Sequence, residues 1–333
     1  MFGAKGREVG NLLVSRMYQW QGLRDHDVVH SVYGHGTING GHYIREAVSH
    51  FTNSLFISAG TGVETPSVRQ VELMRDFGAT VLVGFVDYIR KLADTARDQG
   101  LTPGNDIPVR MISGHLGMED RSAVESAWGG AKAHDWYGVG DTGCIAGEGP
   151  DRNGLYVWED AHYLELLDVS TSEAINAGDK GDMVCTCLYK DDIFPVIRFN
   201  THDVSAERSG SSDTGMVFKR IDGFLGRSDN MIKLRGINIF PHSVGKFLQH
   251  EPAFAGEFVC IVERDSAAQD ELLVLVECND PHSTELQAHF SQLLKRGLGI
   301  AVNLQLGSLG STSEYTEIDQ RQKPVRLIDR RHS

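Results

Sequence analysis

Residues 223–241 read Gly-Phe-Leu-Gly-Arg-Ser-Asp-Asn-Met-Ile-Lys-Leu-Arg-Gly-Ile-Asn-Ile-Phe-Pro. A glycine-punctuated turn at Gly226-Arg227-Ser228-Asp229 leads into a short alternating run, Met231 to Leu234, and a second turn follows at Arg235-Gly236. Two corners flanking one strand suit either a β-hairpin corner inside a single domain or a joint between two bodies. The flanking sequences differ in kind, and that difference favours the joint.

On the amino-terminal side, residues 28–137 alternate strand and helix patterns. Val28 to Tyr33 reads as a strand ending in a glycine-rich loop, Gly34 to Gly41, and Leu55 to Ser58 as a second strand. A helix is expected after Thr65-Pro66, with Thr65 capping, Val68, Val71, Met74 and Phe77 on one face, and Gly78 closing it. Ala79 to Val86 is apolar enough for a fully buried strand. Asp87 then caps a helix with Ile89, Leu92, Ala93 and Ala96 inward. Val109 to Ser113, a helix near 119–129 and Lys132 to Tyr137 repeat the unit. Such alternation predicts a mainly parallel sheet covered by helices, with ligands at the carboxyl ends of its strands. The loops after Tyr33, Ser58, Ser113 and Tyr137 are therefore the expected site. Residues 154–227 change to short strands, clearest at Met183 to Leu188 and Val196 to Phe199, and predict an antiparallel subdomain. Beyond Pro241, a helix, strands at Phe258 to Val262 and Leu272 to Val276, a helix at Thr284 to Leu298 and a strand at Ala301 to Leu306 make an α+β domain of about a hundred residues. Ser308 to Gln322 reads as loop.

The 333 residues suffice for two domains, and 41% apolar with 23% charged residues is the composition of an ordinary globular chain. A net charge of −13 argues against nucleic acid or an anionic membrane as the main partner, because counterion release needs clustered Lys and Arg. A single locally positive pocket could still take an anion. No apolar run approaches the roughly 20 residues of a membrane span. The start lacks a hydrophobic signal core, and five scattered cysteines do not form a disulfide framework. A cytoplasmic location is expected.

Five motifs occur in order: Tyr137-Gly138-Val139-Gly140-Asp141; Val157-Trp158-Glu159-Asp160; Phe194-Pro195-Val196-Ile197-Arg198-Phe199-Asn200-Thr201-His202-Asp203; Gly226-Arg227-Ser228-Asp229 to Pro241; and Lys323 ahead of Ile328-Asp329-Arg330-Arg331. Each is weak alone. Together they make the chain resemble phenylacetate–CoA ligases, members of the adenylate-forming superfamily of acyl-CoA synthetases, from about Gly22 to Arg331. The resemblance implies the adenylate-forming α/β fold: a large AMP-binding domain over 1–225 (parallel α/β to about 150, β-rich over 151–225), a hinge at 226–232, and a small mobile α+β domain over 233–333. It implies activation of a small, aromatic or other, carboxylic acid with ATP to an acyl-AMP and transfer to CoA, with Mg²⁺, in a homodimer. By that resemblance Tyr137 stacks on adenine, Asp203 accepts the ribose hydroxyls, and Gly138, Gly114 and Arg227 lie at the nucleotide. Lys323 meets the carboxylate and α-phosphate oxygens, Asp229 is the hinge pivot, and Gly236 lies on the CoA side, where a side chain would obstruct. Tyr33, Gly34 and His35 correspond to the acyl pocket. Each also has a plainer reading: a core tyrosine, a solvated turn aspartate, a surface ion-pair arginine, a solvated tail lysine, a strand-to-loop corner.

The departures are equally specific. The family's Ser-Ser-Gly-Thr-Thr-Gly-Lys-Pro-like phosphate loop has no counterpart, and neither has the region before it. Gly3-Ala4-Lys5-Gly6 lacks the hydroxyls and the row of oriented N–H groups that cradle phosphate. The acidic residue of the family's Gly-Ala-Glu segment is missing at Gly114-His115-Leu116. In the tyrosine motif the hydroxyl residue is Gly140 and the metal-binding Glu is Asp141, which can hold Mg²⁺ through water. Thr142 is a candidate for the missing hydroxyl. Some relatives carry zinc nearby, and Cys144, Cys185 and Cys187 are candidate Zn²⁺ ligands, since Cys185-Thr186-Cys187 in a strand puts both thiols on one face. However, the relatives' Gly-Leu-His reads Gly154-Leu155-Tyr156, and buried free cysteine is the alternative. Among the histidines of the sheet half, His35 and His115 fall on ligand-side loops. Two rival functions stay open: a catalytically impaired nucleotide- or acyl-binding, regulatory descendant, and a biosynthetic tailoring ligase with another acid or acceptor.

Overall fold

A computed structural model describes residues 3–37, 39–117, 119–191, 193–228, 230–234, 237–264, 269–317 and 324–331. The chain divides into two compact units, Met1–Phe224 and Leu225–Ser333.

The first unit opens with helix α1 (Ala4–Gln21), whose inward face carries Leu13, Val14, Met17 and Tyr18 and which ends at Gly22 in the left-handed conformation. The Gly3 to Gly6 stretch thus runs into a helix, with Lys5 ion-paired to Asp191 at 2.6 Å. There follow β1 (Val28–Ser31), α2 (Asn39–Phe51), β2 (Leu55–Ser58), α3 (Ser67–Phe77), β3 (Val81–Phe85), α4 (Val86–Asp98), β4 (Met111–His115), α5 (Arg121–Ala127) and β5 (Lys132–Val139). Strands β2, β1, β3, β4 and β5 lie side by side in parallel. The sheet continues antiparallel through β6 (Gly143–Glu148), β7 (Leu155–Val157) and β11 (Arg220–Ile221). The reversal comes at β6, earlier than the sequence suggests, because the short connection between Val139 and Gly143 permits only a hairpin, whereas a parallel return needs a long crossover. A second antiparallel sheet contains β8 (His162–Leu167), β9 (Lys180–Cys187) and β10 (Phe199–Ala206).

Several local expectations are corrected. Val68 and Phe77 point outward at 54% and 55% exposure, and the buried face of α3 carries Gln70, Val71 and Met74. A glutamine can lie there because its amide bonds His30 and the carbonyls of Gly60 and Thr65. Thr65 does not cap; its hydroxyl donates to the Ala59 carbonyl. The glycine-rich loop is shorter than Gly34 to Gly41, since α2 already runs from Asn39. Val196 to Ile197 is not strand: the carbonyl of Val196 accepts a single bond from Cys187 N–H, Arg198 has φ 47°, and the strand begins at Phe199.

The second unit begins with an extended pair, β12 (Gly226–Arg227), then a hairpin of β13 (Ile232–Leu234) and β14 (Ile237–Ile239), with Ile232 opposite Ile239 and Leu234 opposite Ile237. The quoted stretch therefore holds two paired strands where the sequence suggested one. After α6 (Ser243–Leu248), β15 (Phe254–Arg264) and β16 (Asp270–Cys278) pair antiparallel. Helix α7 (Thr284–Leu298) is capped by Ser283, whose hydroxyl accepts Leu286 N–H, and closed by left-handed Gly299. β17 (Asn303–Gly307) runs parallel to β16, and β18 (Leu327–Asp329) runs parallel to β15. Ile232, Leu234, Ile239, Val244, Phe290 and Leu294 share its core. The expected loop after Gly307 contains a short helix, α8 (Ser313–Thr316), and the buried Glu277 carboxylate organises it by accepting Gly310 N–H, Thr312 N–H and the Thr312 hydroxyl.

Candidate functional site

Every parallel strand of the first unit delivers its carboxyl end to the same edge of the sheet, so residues far apart in sequence meet there. Tyr33 follows β1, Phe85 and His115 end β3 and β4, and Trp136 lies near the end of β5. Their rings pack together: Tyr33 edge-on to Phe85 at 5.4 Å, His115 stacked on Phe85 at 5.3 Å and tilted on Trp136 at 4.3 Å. His115 Nδ1 lies 3.0 Å from the Trp136 carbonyl, which can only accept, so this nitrogen carries the proton. The Tyr33 hydroxyl and Trp136 Nε1 are buried among these rings.

One residue further along β5, Tyr137 is buried and its hydroxyl donates to Asp203 Oδ2 at 2.8 Å. Burial and the neighbouring Asp203 carboxylate push the phenol pKa well up, which keeps it a neutral donor. Asp203 is presented by an irregularity in β10 between Asn200 and Val204. His202 there has φ 57°, its N–H bonds Asn200 Oδ1, and the Thr201 hydroxyl donates to Met183 O while accepting Asp203 N–H. Two residues separated by 66 positions thus form one hydrogen-bonded unit. Gly138 sits at a bulge opposite β6, where a Cβ would lie 2.2 Å from Gly143 O. Gly114 has a similar constraint: a Cβ would lie 1.8 Å from Gly84 O on the neighbouring strand.

Asp141 is half-buried and its carbonyl accepts Lys190 Nζ at 2.6 Å. Among the described residues no other carboxylate joins it in a metal-binding group. One carboxylate suits Mg²⁺, which keeps several waters and takes the rest of its shell from phosphate oxygens. Thr142 does not replace the missing hydroxyl: it is fully buried and its Oγ1 bonds carbonyls of its own turn. His35 donates its N–H to Glu64 Oε1, and Glu64 Oε2 accepts Thr61 N–H, so one carboxylate ties two ligand-side loops together. Burial raises the Glu64 carboxyl, but those N–H bonds outweigh it and the net shift is downward. Burial lowers the pKa of the His35 ring.

Sequence reasoning missed Asp135. It sits inside a strand pattern and nothing in its spacing singles it out. Its Oδ1 accepts Leu116 and Trp136 N–H, while its own N–H donates to Glu148, which is clasped by Arg121 through two bonds of 2.9 and 2.5 Å. Burial, then the Glu148 charge, push Asp135 up to about 7. A raised carboxyl makes the folded state the stronger proton binder. Its contribution is complete below the ordinary 3.8 and is lost as pH rises through about 7. Denaturant unfolding of wild type and Asp135→Asn at stepped pH is expected to show wild type losing stability relative to the variant between pH 4 and 7. A flat difference would refute it.

The three cysteines do not converge. Cys144 accepts Trp158 Nε1–H at 3.4 Å and faces Met17 Sδ at 3.6 Å, and burial pushes its thiol up to about 12. Cys185 and Cys187 instead meet His162. Arg227 lies in β12 of the second unit. Asp229, Gly236 and Lys323 lie outside the described residues. No helix among the described residues is long and apolar enough to cross a membrane.

Residues 236–331 match the family described as AMP-binding enzyme C-terminal domain. The chain is 28% identical to a phenylacetate–coenzyme A ligase of Aromatoleum evansii, over 80% of this chain and 60% of that protein. It is 32% identical to the phenylacetate–coenzyme A ligase of Pseudomonas putida, over 70% of this chain and 52% of the relative. The chain therefore spans between half and two thirds of the length of these relatives. In fold it is similar to 2-hydroxyisobutyryl-CoA ligase in the postadenylation state in complex with 2-HIB-AMP, with a TM-score of 0.85, 22% identity and coverage of 99% of this chain and 71% of that one. ATP-bound MatB from Rhodopseudomonas palustris follows at a TM-score of 0.67, 15% identity and coverage of 92% and 61%. Motif order and these likenesses agree: the chain is similar to phenylacetate–CoA ligases in sequence, its residues 236–331 match the AMP-binding enzyme C-terminal domain, and its fold is that of the acyl-CoA ligases.

Proposed function

We propose that the chain activates a small, aromatic carboxylic acid with ATP and passes it to CoA. The observation that carries this is the Tyr137–Asp203 unit, which joins the two residues the resemblance assigns to the nucleotide's adenine and ribose. In the first half-reaction a carboxylate oxygen of the acid attacks the α-phosphorus of ATP and the bond to pyrophosphate breaks. In the second, the CoA thiol, losing its proton, attacks the acyl carbon and AMP leaves with the bonding electrons. The Asp203 carboxylate is the acceptor for ribose hydroxyls, and hydrogen bonds to a carboxylate are the strong ones. Tyr137 orients that carboxylate. The packed rings of Tyr33, Phe85, His115 and Trp136 supply an aromatic wall beside the same strand ends, which favours an aromatic acid. Mg²⁺ bound at Asp141 would neutralise phosphate charge when present. Lys323, Arg227, Asp229 and Gly236 enter this proposal on the resemblance alone.

A second reading, a descendant that binds nucleotide or acyl group without turnover, draws on Gly140 and on the buried Thr142 hydroxyl, which leave the tyrosine motif without a free hydroxyl. Pyrophosphate release over a panel of aromatic and aliphatic acids, with and without CoA, separates the two. Acid-dependent release that Lys323→Ala suppresses is expected. Nucleotide binding with no release from any acid would support the second reading, and release coupled to an acceptor other than CoA would point to a tailoring ligase.

A further inference from the structure

Asp141 sits in the turn that joins β5 to β6, closed by Thr142 N–H on the Val139 carbonyl at 3.2 Å and by left-handed Gly143 at φ 73°. Gly140, directly before it, is exposed and has nothing within 4 Å of its Cβ position, so a residue of great backbone freedom adjoins the carboxylate. An aspartate is shorter than the glutamate that the resemblance leads one to expect here, so the path of the backbone largely sets where its oxygens lie. The restraint on that path comes from the second sheet. Tyr189 and Lys190 follow β9, and Leu188 N–H pins their segment to the Ala161 carbonyl at 2.9 Å. The Tyr189 hydroxyl donates to the Thr142 carbonyl at 2.8 Å, and the Lys190 ammonium donates to the Asp141 carbonyl at 2.6 Å. Consecutive side chains thus hold consecutive carbonyls. Both residues are buried, at 6% and 3% exposure. Burial raises the Tyr189 phenol and keeps it a neutral donor. A buried ammonium costs free energy unless acceptors hold it, and the Asp141 carbonyl is one of them. The Phe194 ring, 5.5 Å from Lys190 Nζ, adds a cation–π contact.

We propose that Lys190, supported by Tyr189, is a positioning residue for Asp141. Its ammonium fixes the backbone from which the Asp141 carboxylate meets a divalent cation carried on the nucleotide's phosphates. Groups that orient a metal-side ligand without touching the metal matter in this way because a small displacement of the ligand weakens the metal bond. Lys190 is assigned no contact with substrate and no proton transfer; it acts through Asp141. The inference rests on the reading of Asp141 as the metal-side carboxylate in the proposed function.

The test uses the full chain and α,β-methylene-ATP, whose bridging carbon blocks pyrophosphate release, with binding measured by calorimetry once with Mn²⁺ and once with EDTA. Wild type is expected to bind the Mn²⁺ complex more tightly than the metal-free analogue. Lys190→Met is expected to weaken binding of the Mn²⁺ complex by roughly 10–100-fold, the usual cost of losing a group that orients a metal ligand, and to leave the metal-free affinity near that of wild type. Tyr189→Phe, which removes a single hydroxyl, should show the same pattern within about tenfold, and it decides the matter if Lys190→Met does not fold. In an Asp141→Asn background, Lys190→Met should add little, because the two changes act through one contact. Lys5→Ala, which removes the exposed ion pair to Asp191, should change neither affinity. Equal weakening with and without Mn²⁺ would assign Lys190 to the fold or to general charge and overturn the proposal. So would full additivity with Asp141→Asn, or a wild type indifferent to Mn²⁺. Turnover does not enter this measurement: wild type that shows the Mn²⁺ preference and the non-additive pair, but releases no pyrophosphate from ATP with any acid, would sink the proposed activity and leave the positioning role standing.

Discussion

Asp203→Ala is expected to raise the ATP concentration needed for half-maximal pyrophosphate release by roughly 10–100-fold, the equivalent of losing hydrogen bonds to a charged group worth about 1.5–3 kcal/mol. The Asp203 backbone N–H is held by the Thr201 hydroxyl in the irregular turn at His202, and its carboxylate accepts the Tyr137 hydroxyl at 2.8 Å. Removing it also strands the Tyr137 hydroxyl in a buried position. Tyr137→Phe is the discriminating partner. It keeps the ring and the aspartate and removes only the orienting bond, so its effect on the same readout should stay within about tenfold. Equal effects of the two variants would mean that Asp203 serves the fold rather than the nucleotide, and ligand-free unfolding of Asp203→Ala provides the control.

Gly114→Ala is expected to cost several kcal/mol and to leave little folded protein. Overpacking a core usually costs about 1–3 kcal/mol, and more where the neighbour cannot move. Here the neighbour is backbone: the new Cβ would meet Gly84 O at 1.8 Å and Gly84 C at 3.0 Å, on the strand paired in register with it. Gly84 has little room to yield, because β3 is paired on its other side with β1 and Val32 N–H bonds the Val83 carbonyl beside it. Gly40→Ala is the comparison: nothing lies within 4 Å of its Cβ position in α2, and the change should be neutral or stabilising by up to about 1 kcal/mol. Urea midpoints of the two variants against wild type check both expectations. A Gly114→Ala midpoint near that of wild type would show that β3 and β4 can separate locally, contrary to the geometry.

The elements that sequence made legible are those in which one physical signal dominates. Helix α4 was readable because Ile89, Leu92, Ala93 and Ala96 repeat at helical spacing and all are buried. Helix α7 was readable from end to end because Ser283 caps it and Gly299 stops it. Helix α3 was misread in its inward face because a glutamine, apolar by no scale, outcompetes Val68 and Phe77 once four groups satisfy its amide. The apparent strand at Val196 failed because β-branched residues next to Pro195 score as strand although their N–H groups have no ladder to join.

Order along the chain sufficed to align Tyr137 and Asp203 with a known pattern of motifs, because motif spacing is a property of the chain itself. That they share a hydrogen bond, that burial and then Glu148 push Asp135 up to about 7, and that Cys185 and Cys187 meet His162 and not Cys144 are properties of the sheets. They depend on which strand ends lie side by side and in what register, and a one-residue shift would send each of those side chains to the opposite face. Sequence therefore determined the two units and the motifs they carry. Tertiary structure alone decided which side chains are near enough to act together, because hydrogen bonds and burial act over a few ångströms of space and not along the chain.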